Sequence, residues 1–353
     1  MVSLQSTGRF LIGLDIGGTK LAAVVADRDG TILQKARRPT EAARGPRLIV
    51  ESLCEMVREV AGLASVRLTE VAGIGVSCGG PLDTATGIVY SPPNLPGWDG
   101  IPLKAWLEES LNIAAFVEND ANAEALAEWL FGAGRGYRNV VYMTMSTGIG
   151  GGLILDGRLY RGTCDAAGEV GHITLVPNGP RCGCGKRGCL EALCSGPAIA
   201  RRARELITET VPGSRFQVPG QQADRPDVQT GRPDLMVDLA DGDVNAITAE
   251  TVMNAARRGD ATALRVVDET ARYMAQGLGT LINVLNPEII IIGTIIVKAG
   301  DLLLSPIREY LKQETWDRLY RTVQIVPAGL GDAVGDLAAI AVVRQALEGY
   351  VKR

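Results

Sequence analysis

The chain of 353 residues has one histidine and four phenylalanines, and only 5% of it is aromatic. With His172 alone, a Ser-His-Asp or Cys-His mechanism would have to run through that single ring. No apolar run reaches the ~18 residues of a membrane span, and no charged-then-apolar leader precedes Phe10, so a cytoplasmic protein without a membrane partner is expected. An excess of basic charge is missing too: 36 Lys and Arg against 40 Asp and Glu leave −4, which provides no field for nucleic acid or an anionic surface. Two phosphate-binding signatures are absent. There is no G-x-x-x-x-G-K-[ST], and Leu153 stands where the third glycine of G-x-G-x-x-G belongs, which disfavours a Rossmann dinucleotide site.

What is present reads as globular, with 46% hydrophobic and 22% charged residues, in a length that suits two lobes of ~100–200 residues. Seven cysteines, an odd number, fit a reducing compartment better than a disulfide framework. Strand and helix patterns alternate as in an α/β protein. Strands are expected over Phe10–Asp15, Leu21–Ala26 and Val71–Val76, and a helix over Arg47–Leu63. Ser91–Trp98 reads as an ordered loop. A strand Phe116–Asp120 runs into a helix Ala121–Phe131, so Asp120 sits where strand gives way to helix. Strand, glycine turn, strand and Asp-Gly turn then recur about 130 residues after their first appearance, as Asn139–Met145, Ser146–Gly152, Leu153–Leu155 and Asp156-Gly157. Two such turns facing one cleft could hold phosphates on backbone N–H groups without a basic patch. Residues 211–246 read as a long surface excursion. Helices follow over Thr248–Arg258 and Ala261–Leu285, then a buried strand 288–292, a helix 300–313, a strand Val323–Val326 and a last helix 333–350.

His172, Cys182, Cys184 and Cys189 fall within eighteen residues, the cysteines in the order Cys182-Gly-Cys-Gly-Lys-Arg-Gly-Cys189. Three thiolates and an imidazole make a complete tetrahedral zinc set, and four protein ligands leave no position for a reactive water, so the site reads as structural. Cys54, Cys78, Cys164 and Cys194 read as packing residues. With His172 engaged, carboxylates must carry proton transfer. Asp15, Asp120, Glu169 and Glu191 stand in suggestive contexts, yet each has a plain alternative: Asp120 as a helix N-cap, Asp15 as a turn residue, Glu169 and Glu191 as solvated loop charges.

In order, Asp15-Ile-Gly-Gly-Thr-Lys20, Glu118-Asn-Asp-Ala-Asn-Ala123, Thr147-Gly-Ile-Gly-Gly-Gly152, Gly168-Glu-Val-Gly-His172 and the cysteine segment through Glu191 resemble the ROK (repressor, open reading frame, kinase) family of bacterial sugar kinases, from about residue 10 to 347. The resemblance implies an α/β, two-lobed, actin-like (ribonuclease-H-like) ATPase fold with an ATP and sugar cleft between lobes. It implies a smaller lobe 1–120, a larger one 121–332 carrying zinc loop 172–189, and a last helix packed back on the first lobe. Asp15, Gly17, Gly18, Thr19 and Lys20 are implied to face the ATP phosphates and a catalytic Mg2+, with Thr147 and Gly148 opposite and Gly293 at the nucleotide. Asp120 is the implied general base, and Gly80, Asn94, Asn119, Asp120, Glu169, His172 and Glu191 the implied sugar contacts. His172, Cys182, Cys184 and Cys189 would hold Zn2+, and the family suggests a homodimer.

Two departures bear on specificity. Gly293 is followed by Thr294-Ile295-Ile296 where the family usually continues with glycine, and β-branched side chains restrict close approach. Gly79-Gly80 stands where glucokinase-like members commonly have Pro-Gly and resembles the Gly-Gly loops of N-acetylmannosamine kinases, whereas Pro93–Trp98 looks most like the glucokinases. The implied activity is ATP-dependent phosphorylation of a hexose, O6 of glucose first and N-acetylmannosamine or another hexosamine second. Family repressors carry a helix-turn-helix domain ahead of the core. Only fourteen residues precede Asp15 here, so a DNA-reading or silent sugar-sensing role is the lesser expectation, as is a polymerising structural ATPase.

Overall fold

Phe10–Ile16 (β1), Lys20–Asp27 (β2) and Ile32–Pro39 (β3) form an antiparallel meander in the computed structural model, which describes residues 8–209 and 235–351. Pro46–Leu63 (α1) begins on a proline, whose fixed φ suits the first helical position, and buries Ile49, Leu53, Met56, Val57 and Val60 at helical spacing. Val71–Cys78 (β4) returns parallel to β1 and is buried at every position, as a central parallel strand covered on both faces should be. The next stretch contains more structure than its pattern suggests. Leu82–Asp83 (β5), Ile88–Tyr90 (β6) and Asp99–Pro102 (β7) make a small antiparallel sheet, its strands too short to show a period of two. The loop between β6 and β7 is anchored by fully buried Leu95 and Trp98. Leu103–Leu111 (α2) was also not expected, though it buries Leu103, Leu107 and Leu111 along one face. Ala115–Asn119 (β8) completes a five-stranded sheet of order β3-β2-β1-β4-β8.

Asp120–Leu130 (α3) leads to Val140–Met143 (β9), Gly151–Leu155 (β10) and Arg158–Leu159 (β11). After a long loop come Leu190–Cys194 (α4), Gly196–Glu209 (α5), Leu235–Asp238 (α6), Ala249–Arg257 (α7) and Ala261–Leu285 (α8). Ile289–Ile292 (β12), Ile295–Ala299 (α9), Asp301–Glu314 (α10), Asp317–Tyr320 (α11), Gln324–Pro327 (β13) and Val334–Val351 (α12) follow. The second sheet has the order β11-β10-β9-β12-β13. In both sheets three strands run as a meander and two join in parallel. One part of the expected excursion 211–246 is corrected. As far as residue 234 it lies outside the described residues, but from 235 onward it packs: Met236 is fully buried and Ala240 nearly so, both against α7 and α8.

Each sheet is covered on both faces. Helices α1 and α2 bury one side of the first sheet, and α12 packs on the other. Gly75 makes that second contact possible, because a Cβ there would stand 1.9 Å from the Ala339 carbonyl oxygen, nearer than any pair of atoms can pack. Helix α12 continues past the first sheet to join α3 against the second, whose far face is filled by α5, α7, α8 and α10. Among the described residues no helix is long and apolar enough to cross a membrane.

Candidate active site

Ligands of open α/β sheets gather where parallel strands end at their carboxyl edge, and both sheets send their candidate residues there. In the first, register pairs Asp15 with Ser77 and Cys78 with Asn119, so the turn after β1, the Gly79-Gly80 turn after β4 and Asp120 after β8 emerge together. In the second, Ile292 pairs with Met143, which sets Thr144 to Gly148 beside Gly293 and Thr294. Between the two edges lies a cleft of ≈ 740 Å³. Gly80, Asn94, Asn119, Asp120, Thr147, Gly148, Glu169, His172 and Glu191, all expected at the site, line it. Asp15, Gly17, Gly18, Thr19, Lys20 and Gly293, also expected at the site, do not line this cleft.

The helix cap left open by the sequence belongs to Asn119, whose Oδ1 accepts the N–H groups of Ala121 at 3.0 Å and Asn122 at 3.4 Å. Asp120 is thereby the first residue inside α3, with Oδ1 accepting the Ala121 N–H at 2.8 Å. Burial raises its pKa, and that backbone bond pulls it back. Burial pushes Asp15 up to about 6, with Lys20 pulling it down and Asp120 adding to the rise. The two carboxylates therefore feel one another although only Asp120 lines the cleft. The amides of Asn94 and Asn119 flank the Gly79-Gly80 turn: a Cβ on Gly79 would lie 3.1 Å from Asn94 Oδ1, and one on Gly80 3.2 Å from Asn119 Nδ2.

Two acidic residues were not singled out. Glu118, 1% exposed, accepts from Arg161 at 2.7 Å, from Asn122 Nδ2 at 3.0 Å and from the Asn119 N–H at 3.1 Å, which clamps the end of β8 just before Asp120. Its signal was its place at the head of the Glu-Asn-Asp segment. Glu124 lines the cleft and accepts from the Tyr142 hydroxyl at 2.8 Å. Its signal was its position four residues after Asp120, which puts both on one helix face.

The glycine turns serve closeness rather than left-handed backbone. None of Gly17, Gly18, Gly148 and Gly150 has positive φ, but a Cβ on Gly18 would stand 2.8 Å from the Asn94 carbonyl oxygen and one on Gly148 2.7 Å from Glu191 Oε2. Positive φ occurs instead at other lining residues, Ser91, Asp165, Gly168 and Thr294; Thr294, with φ 54 and ψ −99, holds a conformation costly for a β-branched residue. Its hydroxyl lies 3.2 Å from that of Thr144, and both residues line the cleft. Thr294 is thus a strained part of the wall, next to the Gly293 expected at the nucleotide.

The donor atoms of His172, Cys182, Cys184 and Cys189 all lie within 4.8 Å of one another. Cys184 Sγ and Cys189 Sγ are 3.8 Å apart, and Cys182 Sγ and His172 Nδ1 3.5 Å. A tetrahedron built on Zn–S and Zn–N bonds has edges of about 3.8 and about 3.6 Å, so donor types and spacing fit zinc. The other ring nitrogen, Nε2, lies 3.7 Å from Glu169 Oε2, on the cleft side. Glu191 is the second residue of α4, two after Cys189, and its Oε2 accepts the Ile149 N–H at 2.9 Å, which ties the cysteine loop to the second glycine turn. One expectation fails: Cys54, Cys78 and Cys194 are buried, but Cys164 is exposed, because its loop runs along the cleft wall rather than through the core.

A model of the ROK family matches residues 11–346. The glucokinase of Thermotoga maritima is 34% identical over 339 residues, covering 96% of this chain and 98% of that protein. A ROK family glucokinase from Streptomyces griseus, solved in complex with glucose and AMPPNP, superposes with a TM-score of 0.73 at 33% identity over 95% of this chain and 99% of that one. The ROK hexokinase of Thermus thermophilus gives 0.75 at 34% identity over 96% and 100%. The fold is accordingly the two-lobed, actin-like α/β ATPase fold, and the chain belongs to the ROK family.

Proposed function

We propose that this protein is an ATP-dependent sugar kinase that transfers the γ-phosphoryl group to O6 of glucose, with Asp120 as general base. The observation that carries the reading is the position of Asp120. It is a carboxylate with a raised pKa at the first residue of a helix, on the wall of a cleft lined by the Gly79-Gly80 turn and the glycine turn after Thr147. Phosphoryl transfer depends mainly on positioning and charge stabilisation, and a carboxylate in reach of the attacking hydroxyl accepts its proton as the new bond forms. The sugar oxygen bonds to phosphorus, the bond to the bridging oxygen of ADP breaks, and the hydroxyl proton passes to Asp120.

Asn94, Asn119 and Gly80 from the first half, and Glu169, His172 and Glu191 from the second, hold the sugar. The turns Gly17–Thr19 and Thr147-Gly148 present backbone N–H groups to the phosphates, with Lys20 behind and Gly293 at the nucleotide. Asp15 would face a magnesium ion, which would supply charge neutralisation at the phosphate oxygens. His172, Cys182, Cys184 and Cys189 would hold zinc as a structural crosslink with no open position. His172 is then oriented through Nδ1, so that Nε2 serves the sugar side. The lobes are 1–120 and 121–332, with α12 returned to the first, in a cytoplasmic homodimer. The Gly79-Gly80 turn favours N-acetylmannosamine or another hexosamine as second acceptor. ADP release should be measured with ATP and a panel of neutral and N-acetylated hexoses. Glucose should give the highest kcat/KM, and silence across the panel would refute the kinase reading.

A further inference from the structure

The mechanism leaves Glu124 without a task. It stands one helical turn beyond Asp120 on α3 and lines the same cleft. Its Oε2 is held by the Tyr142 hydroxyl at 2.8 Å, and Tyr142, 1% exposed, reaches it from β9. That phenolic oxygen lies beside Gly293, where a Cβ would stand 2.8 Å from it. Glu124 thus sits between Asp120 at the sugar end and Gly293-Thr294 at the nucleotide end, along the path the phosphates must take.

The charges that act most strongly on Glu124 are negative: Asp120 and Glu128 on its own helix and Asp15 from β1. From β9 it meets the uncharged hydroxyl of Tyr142. The segment Gly151–Leu155 of β10 brings no titratable group. Glu118 of β8 is committed to Arg161, and Asp336 of α12 to Lys35 and Arg37. Burial and these like charges push Glu124 up to about 7, against the Tyr142 bond. A nucleoside triphosphate, net negative even with one magnesium ion, adds more negative charge at the same place, and like charges that close cannot all stay ionised.

We infer that Glu124 takes up a proton from solvent when a nucleoside triphosphate enters the cleft, and that the neutral carboxyl so formed donates its O–H to a phosphate oxygen. Tyr142 keeps its bond to Oε2, so Oε1 is the atom that gains the proton; no other bond is made or broken. The inference rests on the nucleotide reading of the cleft. It makes Glu124 a proton-linked nucleotide contact.

Calorimetric titration of the whole protein with AMPPNP and magnesium chloride tests it, at pH 6, 7 and 8 in two buffers of different ionisation heat. At pH 8 the wild type should take up nearly one proton more per nucleotide than Glu124→Gln, whose amide keeps the acceptor for Tyr142 but does not titrate. Wild-type affinity should fall by up to about tenfold per pH unit above the carboxyl's pKa, and the variant's should fall less. Equal proton counts and parallel pH profiles would overturn the inference while leaving the kinase reading intact. If neither protein binds AMPPNP, the nucleotide reading itself fails. Should Glu124→Gln not fold, the wild type decides alone: a binding heat at pH 8 that does not change with buffer overturns the inference.

Discussion

The two five-stranded sheets share one strand order and one pattern of sense, yet their carboxyl edges carry different chemistry. The first edge bears two carboxylates, half-buried Asp15 and cleft-facing Asp120, both raised by desolvation. The second bears neutral groups: the hydroxyls of Thr144, Thr147 and Thr294 and the amides of a glycine turn. Its loop is held by the cysteine and histidine knot through Glu191. A repeated framework thus sets two edges face to face, and the side chains placed on each divide the work. In the proposed reaction the first supplies base and charge, the second a cradle and a fixed sugar wall.

Exchanging charge at the first edge should have the largest effect. Asp120→Asn keeps the Asn119 cap and the fold, so glucose affinity should change little while kcat falls by ~10²–10⁴; unchanged kcat would remove Asp120 from its role. The knot comes next. Cys184→Ser should lower zinc below about one per chain and weaken glucose binding by ~10–100-fold, read by elemental analysis and titration, and full affinity without metal would detach the knot from the sugar wall. A smaller change is expected at Thr294. Thr294→Gly relieves a costly backbone and removes one hydroxyl from the cradle, so KM for ATP should move several-fold with kcat nearly constant.

The pH dependence of stability sharpens the same contrast. Asp15 rises from 3.8 to about 6 and Glu124 from 4.5 to about 7. The folded state therefore holds these protons more tightly than the unfolded chain, and ionising the groups costs stability. Their penalty is absent below about 4, grows through the window between the two sets of values, and is complete above about 7. Melting of the ligand-free protein should show Asp15→Asn and Glu124→Gln gaining on the wild type as pH rises from 5 to 8. A constant difference would contradict these shifts. Least of all is expected from the exposed pair Arg67–Glu70: Arg67→Ala should leave the melting temperature almost unchanged, because solvent screens so exposed a pair.

Much of this was legible in the residues. The repeated strand, glycine turn and strand announced both sheets, and the three clustered cysteines with His172 announced the knot, because metal chemistry restricts donor type and spacing tightly. The small sheet β5-β6-β7 was not legible, since strands of two to four residues carry no readable alternation. The Asn119 cap was ambiguous because either Asn or Asp satisfies the same N–H groups. Glu124 was harder to read because the groups that act on it, Tyr142 and Asp15, come from β9 and β1, and a contact between distant segments leaves no local pattern. Cys164 was misplaced for the same reason: a thiol reads alike in a core and on a cleft wall until the loop around it is seen.

The proposal turns on where the phosphoryl group goes. Phosphorus NMR of the protein incubated with ATP, magnesium and glucose follows that directly. The proposal predicts one glucose 6-phosphate for each ADP formed. ADP accompanied by free phosphate, or a sugar phosphate on another hydroxyl, would contradict it.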